Sequence, residues 1–124
     1  MDKSFVERVS WDEVNEYLNR VVSLVSSKDH SGVYGIPRGG SVLAAWLSHK
    51  LYIPLQPAPD KNSIIIDDIC NSGDELSVCL NVYHVSGENY FITTMYKGKE
   101  APDDLIHFAH RVKGEKWIAF PWEQ

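Results

Sequence analysis

The stretch that most constrains the fold is the apolar run SIIID at residues 63–67. Three consecutive β-branched residues are typical of a strand that is covered on both faces, at the centre of a parallel sheet. An acidic pair, Asp67 and Asp68, then a short polar loop and a helical pattern follow directly. A second apolar run, VYGI at residues 33–36, is likewise followed by a loop, PRGG, and a helical pattern. Two strand–loop–helix units predict an α/β fold with a mostly parallel, twisted sheet flanked by helices.

Other segments supply the remaining predicted elements. An amphipathic helix is expected from Ser10 to about Ser27, with Ser10 and Glu13 forming a capping box. Residues 53–62 contain three prolines and predict a short edge strand and a turn. The helices after the two loops are expected at residues 41–51 and 74–83, and further strands at residues 90–96, 106–112 and 117–120. A chain of 124 residues is expected to form one domain, spanning residues 1–124.

Composition and charge argue against several classes of protein. The net charge is -5, whereas binding to a nucleic-acid backbone depends on clustered Lys and Arg, so no nucleic-acid partner is expected. No apolar run has the length of a membrane span, and the first residues lack the apolar core of a signal peptide. Cys70 and Cys79 have neither metal-ligand spacing nor a disulfide-rich context. We therefore expect a reducing, cytoplasmic location and no membrane partner.

The two loops are expected to lie at one edge of the sheet, because both follow strands and precede helices. A loop that opens a helix presents unpaired backbone N–H groups, which suit a phosphate. Ionised carboxylates only accept hydrogen bonds and sugar hydroxyls donate them, so Asp67 and Asp68 beside such a loop fit a ribose 5-phosphate, with or without a divalent cation. The simpler interpretation is a solvated strand end followed by a helix cap.

The stretch IIIDDICNSGDEL at residues 64–76 resembles the phosphoribosyl diphosphate (PRPP) signature of the type I phosphoribosyltransferases. SWDEV, GIPRGG, YK at 96–97 and WIAFPWE at 117–123 resemble, in the same order, segments of the bacterial xanthine-guanine phosphoribosyltransferases. The resemblance implies a single-domain type I phosphoribosyltransferase fold. It also implies a magnesium-dependent enzyme of purine salvage that transfers phosphoribosyl from PRPP to a 6-oxopurine, with guanine, xanthine and hypoxanthine left open.

The resemblance also assigns roles to individual residues. The residues expected to bind PRPP are Arg38 and Gly39 at the pyrophosphate, Asp67 and Asp68 at the ribose hydroxyls, and Asn71, Ser72, Gly73, Asp74 and Glu75 at the 5-phosphate. The peptide bond before Arg38 is often strained or cis in the family. Lys97 is expected at the purine O6, Trp117 stacked on the ring and the Ile118 backbone at its edge. Asp67, Asp68 and Glu123 are expected near Mg²⁺, and Arg38, Asp67, Asp68 and Asn71 are the candidate catalytic residues.

Two of these purine-site residues also have simpler interpretations. Lys97 could be an ordinary solvated residue at a strand end, and Trp117 could belong to the core. As a donor without an acceptor, Lys97 would favour a 6-oxo over a 6-amino group.

Two features depart from the family pattern. Asn71 stands where the family usually has an Asp that takes a proton from the purine, and an amide cannot act as a general base. Only IPLQPAPDKN stands where the family carries a long mobile loop that excludes water from the reacting centre. The sequence therefore predicts a shortened lid, with either leakage to PRPP hydrolysis or cover from a neighbouring subunit.

Two alternatives to a transferase follow from these departures. One is a non-catalytic sensor that binds a nucleotide or PRPP, and the other is a PRPP or nucleotide hydrolase. The resemblance further implies a homo-oligomer, either a dimer or a tetramer.

Overall fold

The structure is a computed structural model, and it describes residues 5–86, 89–101, 106–114 and 116–123. Within these ranges, three helices and six strands follow one another along the chain: β1 (Val6–Arg8), α1 (Trp11–Leu24), β2 (Val33–Gly35), α2 (Gly39–Leu51), β3 (Ile64–Cys70), α3 (Asp74–Val82), β4 (Phe91–Lys97), β5 (His107–Arg111) and β6 (Trp117–Ala119). Single 3₁₀ turns lie at Ser27–Asp29 and Pro121–Glu123.

The main sheet has the strand order β2-β3-β4-β5, and all three pairings are parallel. A separate parallel pair joins β1 to β6, with Val6 opposite Trp117. The parallel α/β architecture expected from the sequence is confirmed. The strand β1 was not predicted, because its three residues have too little pattern to distinguish a strand from an irregular segment.

The apolar run of β3 is covered on both faces, as its composition predicted. Ile64 and Ile66 pack with the buried residues of α1 and α2, whereas Ile65 packs on the other face with Leu76 and Cys79 of α3. All three isoleucines have no exposed surface. Burial of this kind stabilises a domain by about 1.5–3 kcal/mol per side chain, so β3 anchors the core.

The first helix begins where its cap residue predicts. The Glu13 backbone N–H donates to Ser10 Oγ at 3.1 Å, and Val9 and Val14 are buried in the same cluster. The helix ends at Leu24 rather than near Ser27, because the chain turns to extended backbone at Val25. The helix α2 likewise begins two residues earlier than predicted, at Gly39.

The strand β3 does not end at the acidic pair. It continues through Asp67 and Asp68 to Cys70, because β4 lies alongside with Thr94 opposite Asp67 and Lys97 opposite Cys70. The short polar loop that the sequence predicts after the acidic pair is thereby reduced to residues 71–73. The two carboxylates thus belong to a strand that is paired with β4 and not to a loop.

The predicted edge strand at residues 53–62 is reduced to one bridging residue. Leu55 pairs in parallel with Val33, the first residue of β2, and the chain then turns back towards β3. The connection that joins α2 to β3 therefore lies at the amino ends of these strands. No helix within the described ranges is both long enough and apolar enough to cross a membrane.

Candidate active site

A cavity of about 480 Å³ opens at the carboxyl ends of β2 and β3, the edge at which parallel sheets bind ligands. Nine of the predicted site residues line it, namely Arg38, Gly39, Asp67, Asp68, Asn71, Ser72, Gly73, Asp74 and Glu75. The other four predicted residues, Lys97, Trp117, Ile118 and Glu123, are not part of its lining. The two loops that the sequence placed at one edge of the sheet therefore do form a single cavity.

The loop after β2 fits against β3 because it contains glycines. A side chain at Gly39 would overlap the carboxylate of Asp68, and one at Gly40 would come within 2.5 Å of the Ile66 carbonyl oxygen. The Gly40 N–H donates to Ile36 O at 2.9 Å, and the Ile36 N–H donates to Ile66 O at 2.9 Å. The Pro37–Arg38 peptide bond is cis, as the resemblance implied. The loop thus presents exposed Arg38 on the same cavity as the acidic pair.

The carboxylates of Asp67 and Asp68 are each held by the next backbone amide. The Asp68 N–H donates to Asp67 Oδ1 at 2.8 Å, and the Ile69 N–H donates to Asp68 Oδ1 at 2.7 Å. Burial, followed by the interaction with Asp68, raises the pKa of Asp67 to about 9. The pKa of Asp68 is also raised, mainly by burial. Ionisation of this pair is therefore favoured by a cation or by hydroxyl donors in the cavity.

The loop between β3 and α3 offers backbone donors. Gly73 has a φ of 90°, a left-handed conformation that glycine adopts without a steric penalty, and α3 begins at the next residue. The Asp74 N–H donates to Ser72 Oγ at 3.3 Å. The first turn of α3 suits an anion, but it carries the exposed carboxylates of Asp74 and Glu75. A phosphate bound here needs a neighbouring cation to offset those charges.

Asn71 is exposed on the cavity at the start of this loop. The Gly98 N–H donates to Cys70 O at 2.8 Å, and a side chain at Gly98 would meet the Asn71 carbonyl oxygen at 2.7 Å. Close packing with the chain after β4 therefore positions Asn71. Its amide adds hydrogen-bonding groups to the cavity but no titratable group.

Lys97 is a buried residue, with 1% of its surface exposed, so its interpretation as a solvated strand end is wrong. Its Nζ lies 5.1 Å from the ring centroid of Phe108, and Arg111 Cζ lies 4.8 Å from the same centroid. Cys70, opposite Lys97 in the sheet, has a pKa that is raised mainly by burial and lowered in part by the charge of Lys97. The ammonium of Lys97 therefore lies near the Phe108 ring, on the residue that pairs with Cys70 at the end of β3.

The segment 117–123 contacts β4 through Phe120 and acts on the acidic pair through the charge of Glu123. Trp117 is 58% exposed, so its interpretation as a core residue is wrong, whereas Ile118 is buried. The Phe120 ring contacts the ring of Tyr96, the residue before Lys97, at 5.9 Å between centroids. Glu123 Oε1 accepts from the Phe120 N–H at 3.0 Å, and the charge of Glu123 contributes to the raised pKa of Asp68.

The chain is similar in sequence and in shape to phosphoribosyltransferases. The xanthine-guanine phosphoribosyltransferase of Chromohalobacter salexigens is 22% identical over 137 aligned positions, which cover 93% of this chain and 82% of that protein. A purine phosphoribosyltransferase from Pyrococcus horikoshii superposes with a TM-score of 0.79 and 23% identity, covering 95% of this chain and 94% of the other. The chain has the type I phosphoribosyltransferase fold.

A second solved structure agrees with this fold. The xanthine-guanine-hypoxanthine phosphoribosyltransferase of Helicobacter pylori superposes with a TM-score of 0.72 and 18% identity, over 94% of this chain and 92% of the other. No protein-family profile matches the chain. The phosphoribosyltransferase fold is thus recognisable by shape although no family profile matches.

Asp67 and Asp68 supply two of the oxygen ligands that a divalent cation needs, but not a complete metal site. Within the described ranges, no three His, Cys, Asp or Glu side chains lie close enough to hold a metal. Asp67, Asp68 and Glu123, which the resemblance implies lie near Mg²⁺, therefore do not by themselves form such a cluster. The two half-buried carboxylates of Asp67 and Asp68 do fit Mg²⁺, which is commonly held by one or two carboxylates together with substrate phosphates and water.

Sequence reasoning missed the threonines that line the cavity. Thr93 and Thr94 come from β4 and are each only 1% exposed. Tyr17 Oη lies 2.6 Å from Thr93 Oγ1, which in turn lies 2.9 Å from His107 Nδ1. This buried polar chain joins α1, β4 and β5 beneath the cavity. Two adjacent threonines in a strand are compatible with simple β-propensity, so the sequence contained no signal for their role.

Proposed function

We propose that the protein is a purine phosphoribosyltransferase that converts PRPP and a 6-oxopurine to a nucleoside monophosphate and pyrophosphate. The observation that carries the proposal is the cavity itself. It places an acidic pair, a helix N-terminus and an arginine around one space, although they come from two segments about 30 residues apart in the sequence. The xanthine-guanine phosphoribosyltransferase and the solved structures that the chain resembles are enzymes, which supports a catalytic role.

The ribose 5-phosphate of PRPP matches the groups around β3. Asp67 and Asp68 accept hydrogen bonds from the ribose hydroxyls, which donate them. The backbone N–H groups at Gly73 and the first turn of α3, with the Ser72 hydroxyl, bind the 5-phosphate. Because these groups are held by strand and helix, their positions require little reorganisation when the substrate binds.

The pyrophosphate of PRPP matches the loop after β2. Arg38 is the cation of this loop, and its guanidinium can bind two phosphate oxygens at once. Mg²⁺, held by the acidic pair and by the substrate, would supply positive charge that stabilises the departing pyrophosphate. Glu123 would add to this site through its negative charge, which already contributes to the raised pKa of Asp68.

The purine is expected next to the ends of β4 and β6. Lys97 donates to O6, and because it has no acceptor it disfavours the 6-amino group of adenine. Trp117 presents an exposed indole for stacking, and the Ile118 backbone lies beside it in the same short strand. A site that requires a hydrogen-bonded partner rejects a base that lacks it by a factor on the order of 10⁴.

A base panel tests the proposal. Full-length protein is incubated with PRPP, Mg²⁺ and radiolabelled guanine, xanthine, hypoxanthine or adenine, and the monophosphate is measured. Product is expected with at least one of the three 6-oxopurines and not with adenine. The double change Asp67→Asn and Asp68→Asn should lower the rate at least 100-fold, whereas Asp29→Asn, an exposed matched change, should not. Folded protein that makes no product with any base would contradict the proposal.

The second candidate function is a sensor that binds a nucleotide or PRPP without turnover. The observation that favours it is Asn71, an amide at the position on the cavity where proton transfer would be expected. Calorimetry with GMP and with PRPP separates the two. Binding without product formation, abolished by the double change at the acidic pair, identifies a sensor.

A further inference from the structure

The connection between α2 and β3 is held at the amino ends of the strands. The Val33 N–H donates to Pro54 O at 2.8 Å, and the Gln56 N–H donates to Val33 O at 2.8 Å. These bonds fasten the connection to the first residue of β2. The chain then returns through residues 57–63 to the start of β3 without running along the rest of β2.

A hydrogen-bond network holds this connection in place. Ser31 Oγ donates to Asp60 Oδ1 at 2.6 Å, and Ser63 Oγ donates to Gln56 Oε1 at 2.6 Å. Gln56 Nε2 donates to Asp60 Oδ2 at 3.2 Å, and the Asp60 N–H donates to Ser63 Oγ at 2.8 Å. The Ser31 hydrogen bond is also the main cause of the lowered pKa of Asp60. Hydrogen bonds therefore hold the connection both near residues 54–56 and near residues 60–63.

This fastened position is remote from the cavity. Ser63 precedes Asp67 by four residues of extended strand, which corresponds to about 13 Å at 3.3 Å per residue. The connection lies at the amino ends of the strands, and the cavity lies at their carboxyl ends. Residues 53–63 therefore do not cover the ribose site in this structure.

Several side chains that line the cavity are exposed. Pro37 and Arg38 come from the loop after β2, and Asn71, Asp74 and Glu75 come from the segment after β3. As far as the described residues define the cavity, water therefore has access to the space in which the C1–pyrophosphate bond of PRPP would break. As that bond breaks, C1 gains positive charge, and water competes with the base as the nucleophile unless it is excluded.

We propose that this protein also hydrolyses PRPP at C1 when no base occupies the site, an activity that rests on the proposed transferase function. The C1–O bond to pyrophosphate breaks with its electron pair leaving on the pyrophosphate oxygen. A water oxygen bonds to C1 and loses one proton to solvent. The products are ribose 5-phosphate and pyrophosphate, and no oxidant or reductant is involved.

Paired measurements of pyrophosphate and nucleotide test this activity. Full-length protein with PRPP and Mg²⁺ is expected to release pyrophosphate without a base. With a limiting 6-oxopurine, the ratio of pyrophosphate to nucleotide should exceed one and rise as the base is diluted. Formation of nucleotide with a ratio of one, and no release without the base, would overturn the hydrolysis while leaving the transferase intact. No product by either route would overturn both.

Labelled water identifies the bond that breaks. In H₂¹⁸O, cleavage at C1 leaves the pyrophosphate unlabelled, whereas attack at phosphorus puts ¹⁸O into it. Labelled pyrophosphate would overturn the proposal. Asp67→Asn with Asp68→Asn should lower hydrolysis and transfer by the same factor, at least about 100-fold, because both use the same ribose site.

A change in the network tests whether the connection has any part in covering the site. Asp60→Ala releases the connection from Ser31 and Gln56 and should lower Tm without changing the ratio of pyrophosphate to nucleotide. A ratio that changes in either direction would show that the connection reaches the reacting centre and would overturn the inference. Asp29→Ala, at an exposed aspartate, is the matched control and should change neither quantity.

Discussion

The carboxylate of Asp68 lies directly on the backbone of Gly39, so closely that any side chain at Gly39 would overlap it. This contact joins the loop after β2 to the acidic strand β3 and brings Arg38 to the same cavity. We expect Gly39→Ala to displace the carboxylate or the loop and to lower kcat/KM at least 100-fold, because small misplacements of catalytic groups are costly.

The matched control for this change is Gly114→Ala. Gly114 has a φ of 63° and nothing within 4 Å of an added side chain, so alanine there introduces backbone strain without a clash. It should lower stability by about 1–2 kcal/mol and leave kcat/KM unchanged. Equal effects of the two changes on activity would contradict a specific role for the Gly39 contact.

The raised pKa of Asp67 predicts a pH-dependent stability. A carboxyl whose folded pKa is about 9 favours folding in its protonated form, so its contribution is complete below pH 4 and is lost as pH rises towards 9. Asp67→Asn removes this loss, and its amide oxygen can still accept from the Asp68 N–H. Without ligand at pH 8, the variant should be more stable by at least about 1 kcal/mol, or about 4 °C in Tm.

Thermal melts of both proteins between pH 4 and pH 10 measure this effect. The difference in Tm should grow with pH and level off above about pH 9. A difference that is the same at every pH would show that burial does not perturb the titration of Asp67. Asp29→Asn, an exposed aspartate, should follow the curve of the unchanged protein.

The amide of Asn71 predicts that a general base can be added to the site. Asn71→Asp places a carboxylate of nearly the same shape on the cavity, where it can accept the proton that the purine loses. Proton transfer of this kind contributes about 10² to 10⁴ in rate, so kcat should rise, with a pH profile that gains an acidic limb. Ser72→Thr, a neighbouring change without a titratable group, is the control. An unchanged kcat would mean that proton transfer does not limit the reaction.

The burial of Lys97 predicts a loss of base selectivity without loss of PRPP binding. Lys97→Gln removes the ammonium but keeps hydrogen-bonding groups at the end of β4. A lost charge-assisted hydrogen bond costs about 1.5–3 kcal/mol, so KM for a 6-oxopurine should rise about 10- to 100-fold. KM for PRPP should change little, and Lys99→Gln, at an exposed lysine, should leave both constants unchanged. An equal increase in both KM values would place Lys97 outside the base site.

The buried hydroxyl of Ser63 predicts that its removal lowers the free energy of unfolding without changing activity. Its hydroxyl is fully buried, donates to Gln56 and accepts from the Asp60 N–H, so Ser63→Ala leaves these groups without their partner. The cost should be about 1–3 kcal/mol in urea unfolding. The kcat and KM values should be unchanged, because the connection lies at the amino ends of the strands and the cavity lies at their carboxyl ends. A lowered kcat would contradict that separation.

Much of the candidate site could be predicted from local sequence. The loops PRGG and NSG follow apolar strands and precede helices, and parallel strands place such loops at one edge of a sheet. Nine predicted residues accordingly line one cavity. Whether Lys97 and Trp117 are buried or exposed could not be predicted in this way, because burial depends on which distant residues pack against a side chain. Phe108 covers Lys97, and no contact of this kind can be inferred from spacing along the chain.

The sequence by itself determined the start of α1, the run that forms the central strand β3 and the order of strand, loop and helix, because each depends on neighbouring residues. Only the tertiary structure decided that β3 continues through Asp67 and Asp68, that Gly39 lies on Asp68 and that residues 53–63 are fastened at the far edge of the sheet. These outcomes depend on contacts between residues far apart in the chain. Such contacts form only when the whole core is packed, so no local pattern contains them.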